Sequence, residues 1–340
     1  MVPAPTENEM VAILTKGLEN SDLESASTIA RLLIKDTQRT DLLEICGGVL
    51  LKTGDSDNAE MAFRSAIKSN PSTIIARNNL GAILLKNGNL AEARRWLDEA
   101  IRIDPNYAMA RLNLARVSLK EFQKDQAIKI LEKAILEGLD SAEIITELTN
   151  LYLDTGNLEK AKACVIRLSK KASVSIQTIN LLHGRYYFGT KQFSLAAQFF
   201  TRALEKPGLR QTSFFNRGLC LIQLNQYQNA LKDFKSAESL GKDDDDIKNA
   251  LALSYIGLNC FDKAFSVLLS IPVTINDNTD RLINLAQCSL NCDVEIKRTL
   301  KWLTWAADRN EKNIAPHSNR CLASNYSSAI GLKESFAYHE

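Results

Sequence analysis

The sequence predicts an all-α solenoid of about nine helix pairs, and three observations carry that prediction. Small residues recur at a fixed interval, short polar turns divide each interval in two, and nothing in the composition argues against packed helices throughout. Shifting the 340-residue sequence by 34 positions superposes Ala59, Ala93, Ala127 and Ala161, and after one extra residue Ala196, Ala230 and Ala264 resume the spacing. The same lattice places Gly47, Gly81, Ala115, Thr149, Gly184, Gly218, Ala252 and Ala286 twelve residues upstream or close to it, and Ala66, Ala100, Ala134, Ala203 and Ala237 seven downstream. A period of this length is the mark of stacked supersecondary units rather than of one large core.

The elements follow in order. Units begin near Thr6, Thr40, Thr73, Ala108, Ala142, Gln177, Gln211, Asp245 and Thr279, with a further first helix expected from about Pro316. Within a unit, turns such as Thr53-Gly54-Asp55, Asn87-Gly88-Asn89 and Thr155-Gly156-Asn157 end one helix with Gly or Asn and start the next with a short polar residue. Pro71 and Pro105 close two units. The first unit is degenerate, with Ser25 and Ala26 around the expected alanine, as suits an end unit. The last complete unit is irregular: its second helix, near residues 296–309, carries Trp302 and Trp305 and needs about three extra residues. Those tryptophans read as filling a widened core rather than lining a ligand cage. The acidic run Asp243 to Asp246 falls between units and reads as a helix cap; the spacing of a calcium-binding loop is absent.

Composition sets further bounds. With 45% hydrophobic and 24% charged residues, 7 Pro and 15 Gly, the chain is globular and helix-compatible. The 42 basic and 40 acidic residues give a net charge of +2, too little to drive nucleic-acid binding. No long apolar run and no basic, apolar leader is present, so neither a membrane span nor a signal peptide is expected and the compartment expected is the cytoplasm. Seven scattered cysteines agree with a reducing environment, and most of them read as small buried apolar residues.

The small positions have a physical meaning: two helices approach closely only where their crossing point carries no bulk. This pattern resembles the tetratricopeptide repeat (TPR), whose unit has a small residue at its eighth position, Ala at its twentieth and twenty-seventh, and often Pro at its thirty-second. The resemblance implies a right-handed TPR solenoid over residues 1–315 and a concave groove that takes proteins or extended peptides. Two residues before the small eighth position stand Asn79, Asn113, Asn216 and Asn284. An amide carries both donor and acceptor, so such residues could grip the backbone of an extended peptide; they could equally bond neighbouring helices. The known TPR clamp for a terminal carboxylate is not expected, because the places around Asn113 hold Asn78, Ala82, Glu143 and Glu147.

Catalytic signatures are missing. The sequence contains no Gly-rich phosphate loop, no His-Glu-x-x-His and no Gly-x-Ser-x-Gly, and no cofactor is expected. Cys288 and Cys292, with His317 and Cys321, have residue types that could hold zinc, set against ordinary burial in helix cores. Residues 316–340 form a terminal segment. Within it His317-Ser318-Asn319, Leu322, Asn325-Tyr326, Phe336-Ala337 and His339 resemble the junction where the TPR region of O-GlcNAc-transferase-like glycosyltransferases, including SPINDLY-type proteins, meets the catalytic half. Arg320 and Cys321 depart from that pattern. The resemblance implies a substrate- or partner-recognition region without a complete active site, with His317 at the junction histidine. A free-standing adaptor is the alternative. The end at Glu340, inside an expected second helix, implies a larger protein.

Overall fold

The computed structural model describes residues 6–241, 244–273, 279–292 and 296–309, and every regular element among them is helical. Two compact units divide between Thr155 and Gly156. The first holds α1 (Glu7–Glu19), α2 (Leu23–Asp36), α3 (Thr40–Lys52), α4 (Ser56–Ser69), α5 (Ile74–Lys86), α6 (Leu90–Ile103), α7 (Ala108–Lys120), α8 (Lys124–Leu136) and α9 (Ala142–Asp154). The second holds α10 (Leu158–Ser169), α11 (Ile176–Gly189), α12 (Phe193–Ala203), α13 (Arg210–Gln223), α14 (Tyr227–Leu240), α15 (Asp245–Gly257), α16 (Phe261–Leu269), α17 (Thr279–Asn291) and α18 (Ile296–Arg309). A short 3-10 turn, Pro207–Leu209, precedes α13. Every odd-numbered helix starts within one residue of a unit start expected from the period. The expected helix from Pro316 lies outside the described residues.

The periodic small residues sit where their chemistry requires. In the first unit, a Cβ built on Gly47 would lie 2.7 Å from the Phe63 ring, and one on Gly81 would lie 2.7 Å from Leu97. In the second, Gly184 meets Phe200 at 2.6 Å and Gly218 meets Phe234 at 2.5 Å. All four large partners are fully buried and stand sixteen residues after their glycine. Where the small residue is Ala115 or Ala252, the residue at that interval is Leu131 or Leu268, never phenylalanine. Each phenylalanine at these crossings therefore faces a glycine, whereas leucine faces either glycine or alanine.

Tight reversals join the two helices of a pair. Each uses one residue in the left-handed region: Ser21, Gly54, Gly88 and Phe122 in the first unit, Gly156, Lys191, Asn225 and Asn259 in the second. The residue after it returns its N–H to the helix just ended, as Asp55 does to the Leu50 carbonyl and Asn89 to that of Leu84, both at 2.8 Å. Asp22, Asp55 and Asn157 then cap α2, α4 and α10 by accepting the N–H of the third residue on. Thr73, Ser141 and Ser175 do the same for α5, α9 and α11. Asp244 caps α15 by accepting the Asp246 N–H at 2.9 Å, with Asp245 and Asp246 in the first turn, as the acidic run suggested.

The last described pair is shifted less than the sequence suggests. Buried Thr299, Leu303 and Ala306 repeat the spacing of Ala59, Phe63 and Ala66, which places α18 one residue out of step with the period rather than three. Trp302 lies inward, 2% exposed, with its ring 6.1 Å from that of Phe265 on α16. It is a core residue. Cys46, Cys220 and Cys288 are also buried, and burial pushes each thiol up to about 12, which keeps them protonated.

Two predictions follow from this packing. Gly218→Ala should destabilise by about 1–3 kcal/mol in chemical unfolding, because the Phe234 ring has no room to retreat. Adding Phe234→Leu should recover part of that loss, since alanine faces leucine elsewhere in the chain; a double-mutant cycle reads the coupling. The second concerns His183, whose ring stacks 5.1 Å from that of Phe199. Burial holds its imidazole below the ordinary value of 6.5, so the folded chain keeps it neutral where the unfolded chain would protonate it. Its contribution is therefore full above pH 6.5 and lost as pH falls through the depressed folded value. Between pH 7 and 5, His183→Phe should lose less of its thermal midpoint than the wild type, and an equal loss would refute the assignment.

Candidate functional site

Four positions on each first helix, spaced i, i+4, i+7 and i+11, form one stripe along its face. In the first unit these are Asp41, Ile45, Gly48 and Lys52 on α3, and Ile75, Asn79, Ala82 and Lys86 on α5. The stripe continues with Met109, Asn113, Arg116 and Lys120 on α7, and Glu143, Glu147, Asn150 and Asp154 on α9. Every one of these residues is at least partly exposed except Asn113. Ile45, Ile75 and Met109 are 45%, 48% and 40% exposed, which is unusual for large apolar side chains on three consecutive first helices.

Asn113 and Asn79 are linked through a residue the period did not single out for the groove. The buried Asn113 amide donates its Nδ2 to Asn78 Oδ1 at 2.9 Å, and Asn78 Nδ2 donates to Asn79 Oδ1 at 3.2 Å. At the other end Arg116 Nη1 donates to Asn113 Oδ1 at 3.3 Å, while its Nη2 lies 3.8 Å from Glu147 Oε2. The chain of bonds crosses α9, α7 and α5. Its direction has a single cause: a guanidinium has only donors, so Asn113 must turn its oxygen to Arg116 and its NH2 to Asn78. Asn78 must then pass its own NH2 to the Asn79 oxygen. Asn79, half-buried, thus uses its oxygen within the network, which leaves its NH2 as the group available to a ligand. Of the two roles open to these asparagines, Asn113 performs the helix-to-helix one.

The second unit differs in chemistry. Its stripe carries Thr212, Asn216, Leu219 and Gln223 on α13, and Asp280, Asn284, Gln287 and Asn291 on α17. Asn216 is half-buried and donates its Nδ2 to the Thr212 carbonyl of its own helix at 2.7 Å, leaving its oxygen outward. Asn284 is half-buried on α17. On α15, Asn249 stands at the place equivalent to Asn78 and has a buried oxygen without a partner. In the sequence Asn78 reads only as a non-basic place beside Asn113, and Asn249 carries no signal, because the position after it is Ala250.

Arg217 ties α13 to α14 by two bonds of 2.7 Å to Asp233, which hold its guanidinium above the usual value. Of the zinc-type residues, Cys288 is buried and Cys292 partly so, and His317 and Cys321 lie outside the described residues. No group of three or more metal-ligating side chains occurs among the described residues, and no helix there is long and apolar enough to cross a membrane.

Comparison with known proteins agrees with this geometry. The sequence family described as tetratricopeptide repeat matches residues 48–108 and 181–247. No curated protein matches. Among solved structures, a tetratricopeptide repeat protein from Parabacteroides merdae is similar with a TM-score of 0.60 at 14% identity, over 75% of this chain and 100% of that one. A chain of the human IFIT1 dimer with PPP-AAAA gives 0.61 at 14% identity, over 94% and 83%. A chain of the APC/C hetero-tetramer Cut9-Hcn1 gives 0.57 at 15% identity over 94% of this chain; the protein spans only 56% of that chain's length. At such identities the likeness is one of fold. Period, helix crossings, family match and structural neighbours agree on one fold, an all-α solenoid of helix pairs of the tetratricopeptide-repeat type.

Proposed function

We propose that the chain is a protein-binding scaffold that holds an extended polypeptide along the exposed stripe of its first helices. The observation that carries this reading is the Asn79 amide. Its NH2 is oriented by the bonds running from Arg116 and is flanked by exposed Ile45, Ile75 and Met109. A donor fixed in an apolar setting suits a backbone carbonyl, which every peptide offers whatever its sequence. In the second unit Asn216 offers its oxygen instead, which suits a backbone N–H, and Asn284 adds a half-buried amide.

A finer reading makes the chain the substrate-recognition region of an O-linked protein glycosyltransferase. It rests on the resemblance of residues 317–340 to that family's junction. The free-standing adaptor is served equally well by the fold. Capture of extended Ser/Thr-rich polypeptides favours the first, and capture of a single folded partner favours the second.

Two substitutions separate the roles of the asparagines. Asn79→Asp keeps the acceptor that Asn78 needs and removes the outward donor. It should change unfolding free energy by no more than about 0.5 kcal/mol and weaken binding of capped peptides from a synthetic library about fivefold, the worth of one hydrogen bond. Asn113→Ala strands a buried amide and should cost about 1–3 kcal/mol of stability. Unchanged peptide affinity in Asn79→Asp would refute the stripe as the binding surface.

A further inference from the structure

The reversal between α7 and α8 departs from the seven other reversals among the described residues. Where they place Gly, Asn, Ser or Lys at the left-handed position, this one places Phe122, at φ +61° and 94% exposed. Two penalties coincide there: a Cβ on a left-handed backbone and an aromatic ring in water. Neither is offset by contacts within the fold, because at 94% exposure the ring has almost none. A residue that breaks its own turn chemistry without a compensating contact is a feature of functional rather than stabilising positions.

What lies beside the ring indicates the occupant. Phe122 lines a slot of about 520 Å³ with Leu85 from α5 and Arg116, Leu119 and Lys120 from α7. Three of the five lining side chains are apolar, two are cationic, and none is acidic. The acid next to Phe122 in sequence, Glu121, is already held by Arg94 at 2.6 Å. Lys86, in the last turn of α5, adds a third exposed cation from the neighbouring first helix. A helix dipole accounts for lysines at helix ends; Arg116, in mid-helix and 44% exposed, donates to Asn113 and lies 3.8 Å from Glu147, so it is a partly paired cation at the slot.

We infer that this slot docks an internal acidic segment of a partner protein. The segment inserts one large apolar side chain against Phe122, Leu85 and Leu119 and sets neighbouring carboxylates on Lys120, Arg116 and Lys86. The apolar anchor supplies the desolvated contact on which interfaces concentrate their affinity, and the cations select its flanks. The inference rests on the reading that the first helices of this unit hold an extended chain, and it adds the chemistry of that chain.

The test uses the whole chain and a library of peptides blocked at both ends, so that no terminal carboxylate is present. The wild type should prefer peptides in which one Leu or Phe is flanked by Glu or Asp, with affinity that falls as salt rises. Phe122→Gly should weaken these peptides at least fivefold while its thermal midpoint stays level or rises, because glycine suits the turn. Lys120→Glu should lose the acidic peptides and gain their Lys-flanked counterparts. Equal wild-type affinity for acidic and Lys-flanked peptides would overturn the inference, as would a Phe122→Gly variant that binds normally or melts lower. If library peptides are weakened by Asn79→Asp but not by Phe122→Gly, only the slot fails. If the wild type binds no peptide, the stripe reading fails with it. A concentration-dependent dimer in sedimentation that Phe122→Gly abolishes would make the occupant a second copy and overturn the acidic segment.

Discussion

The structure depends on one steric rule: where two helices of a pair cross, the volume at the contact is shared between a small residue on the first and a large one on the second. Gly184 with Phe200 and Gly218 with Phe234 are the extreme cases, with no space for even one added carbon. Close approach there sets the separation of the helices, and with it the positions of the turn that joins them and of the caps that begin the next helix. The exposed stripe follows from the same rule. A first helix that commits its glycine face to its partner must turn Ile75, Asn79 and Lys86 away from it.

Within the first unit, polar chemistry is organised by direction as much as by position. Asparagine is symmetric enough to be placed either way round, and in isolation it presents no fixed pattern to a ligand. Arg116 removes that freedom because it can only donate, and the choice passes through Asn113 and Asn78 to Asn79. Neighbouring first helices are thereby tied into one hydrogen-bonded set rather than carrying separate amides. The second unit has no cation at the corresponding places on α13 and α17, and Asn216 takes its orientation from its own helix instead.

Much of this was legible in the sequence, because the constraint that builds the fold is periodic. Small residues 34 apart fix the helix starts to within a residue, and the turns announce themselves through glycine, asparagine and aspartate. The candidate site was legible only in outline. The asparagine positions were visible, but the partner of Asn113 is Asn78, one place off the register being followed, and that pairing exists only once α5 and α7 lie side by side. Phe122 occupies a lattice position that reads as a turn. Its exposure and its place beside Leu85 and Arg116 depend on the neighbouring pair and leave no local trace. The irregular last pair was misjudged by two residues because Arg298 stands where alanine was expected, and burial rather than residue type reveals Thr299 as the equivalent.

Among the described residues, the main contacts of each helix within a unit are with the next helix or the one after it, so a pair leans chiefly on its neighbours. At the level of the gene, an in-frame duplication or excision of about one repeat period would cut mainly contacts between neighbours; the new seam would need only a compatible pair of faces. Such a scaffold can change its reach by copying whole segments, and the number of rungs offered to a bound chain becomes a heritable length rather than a property of any single residue.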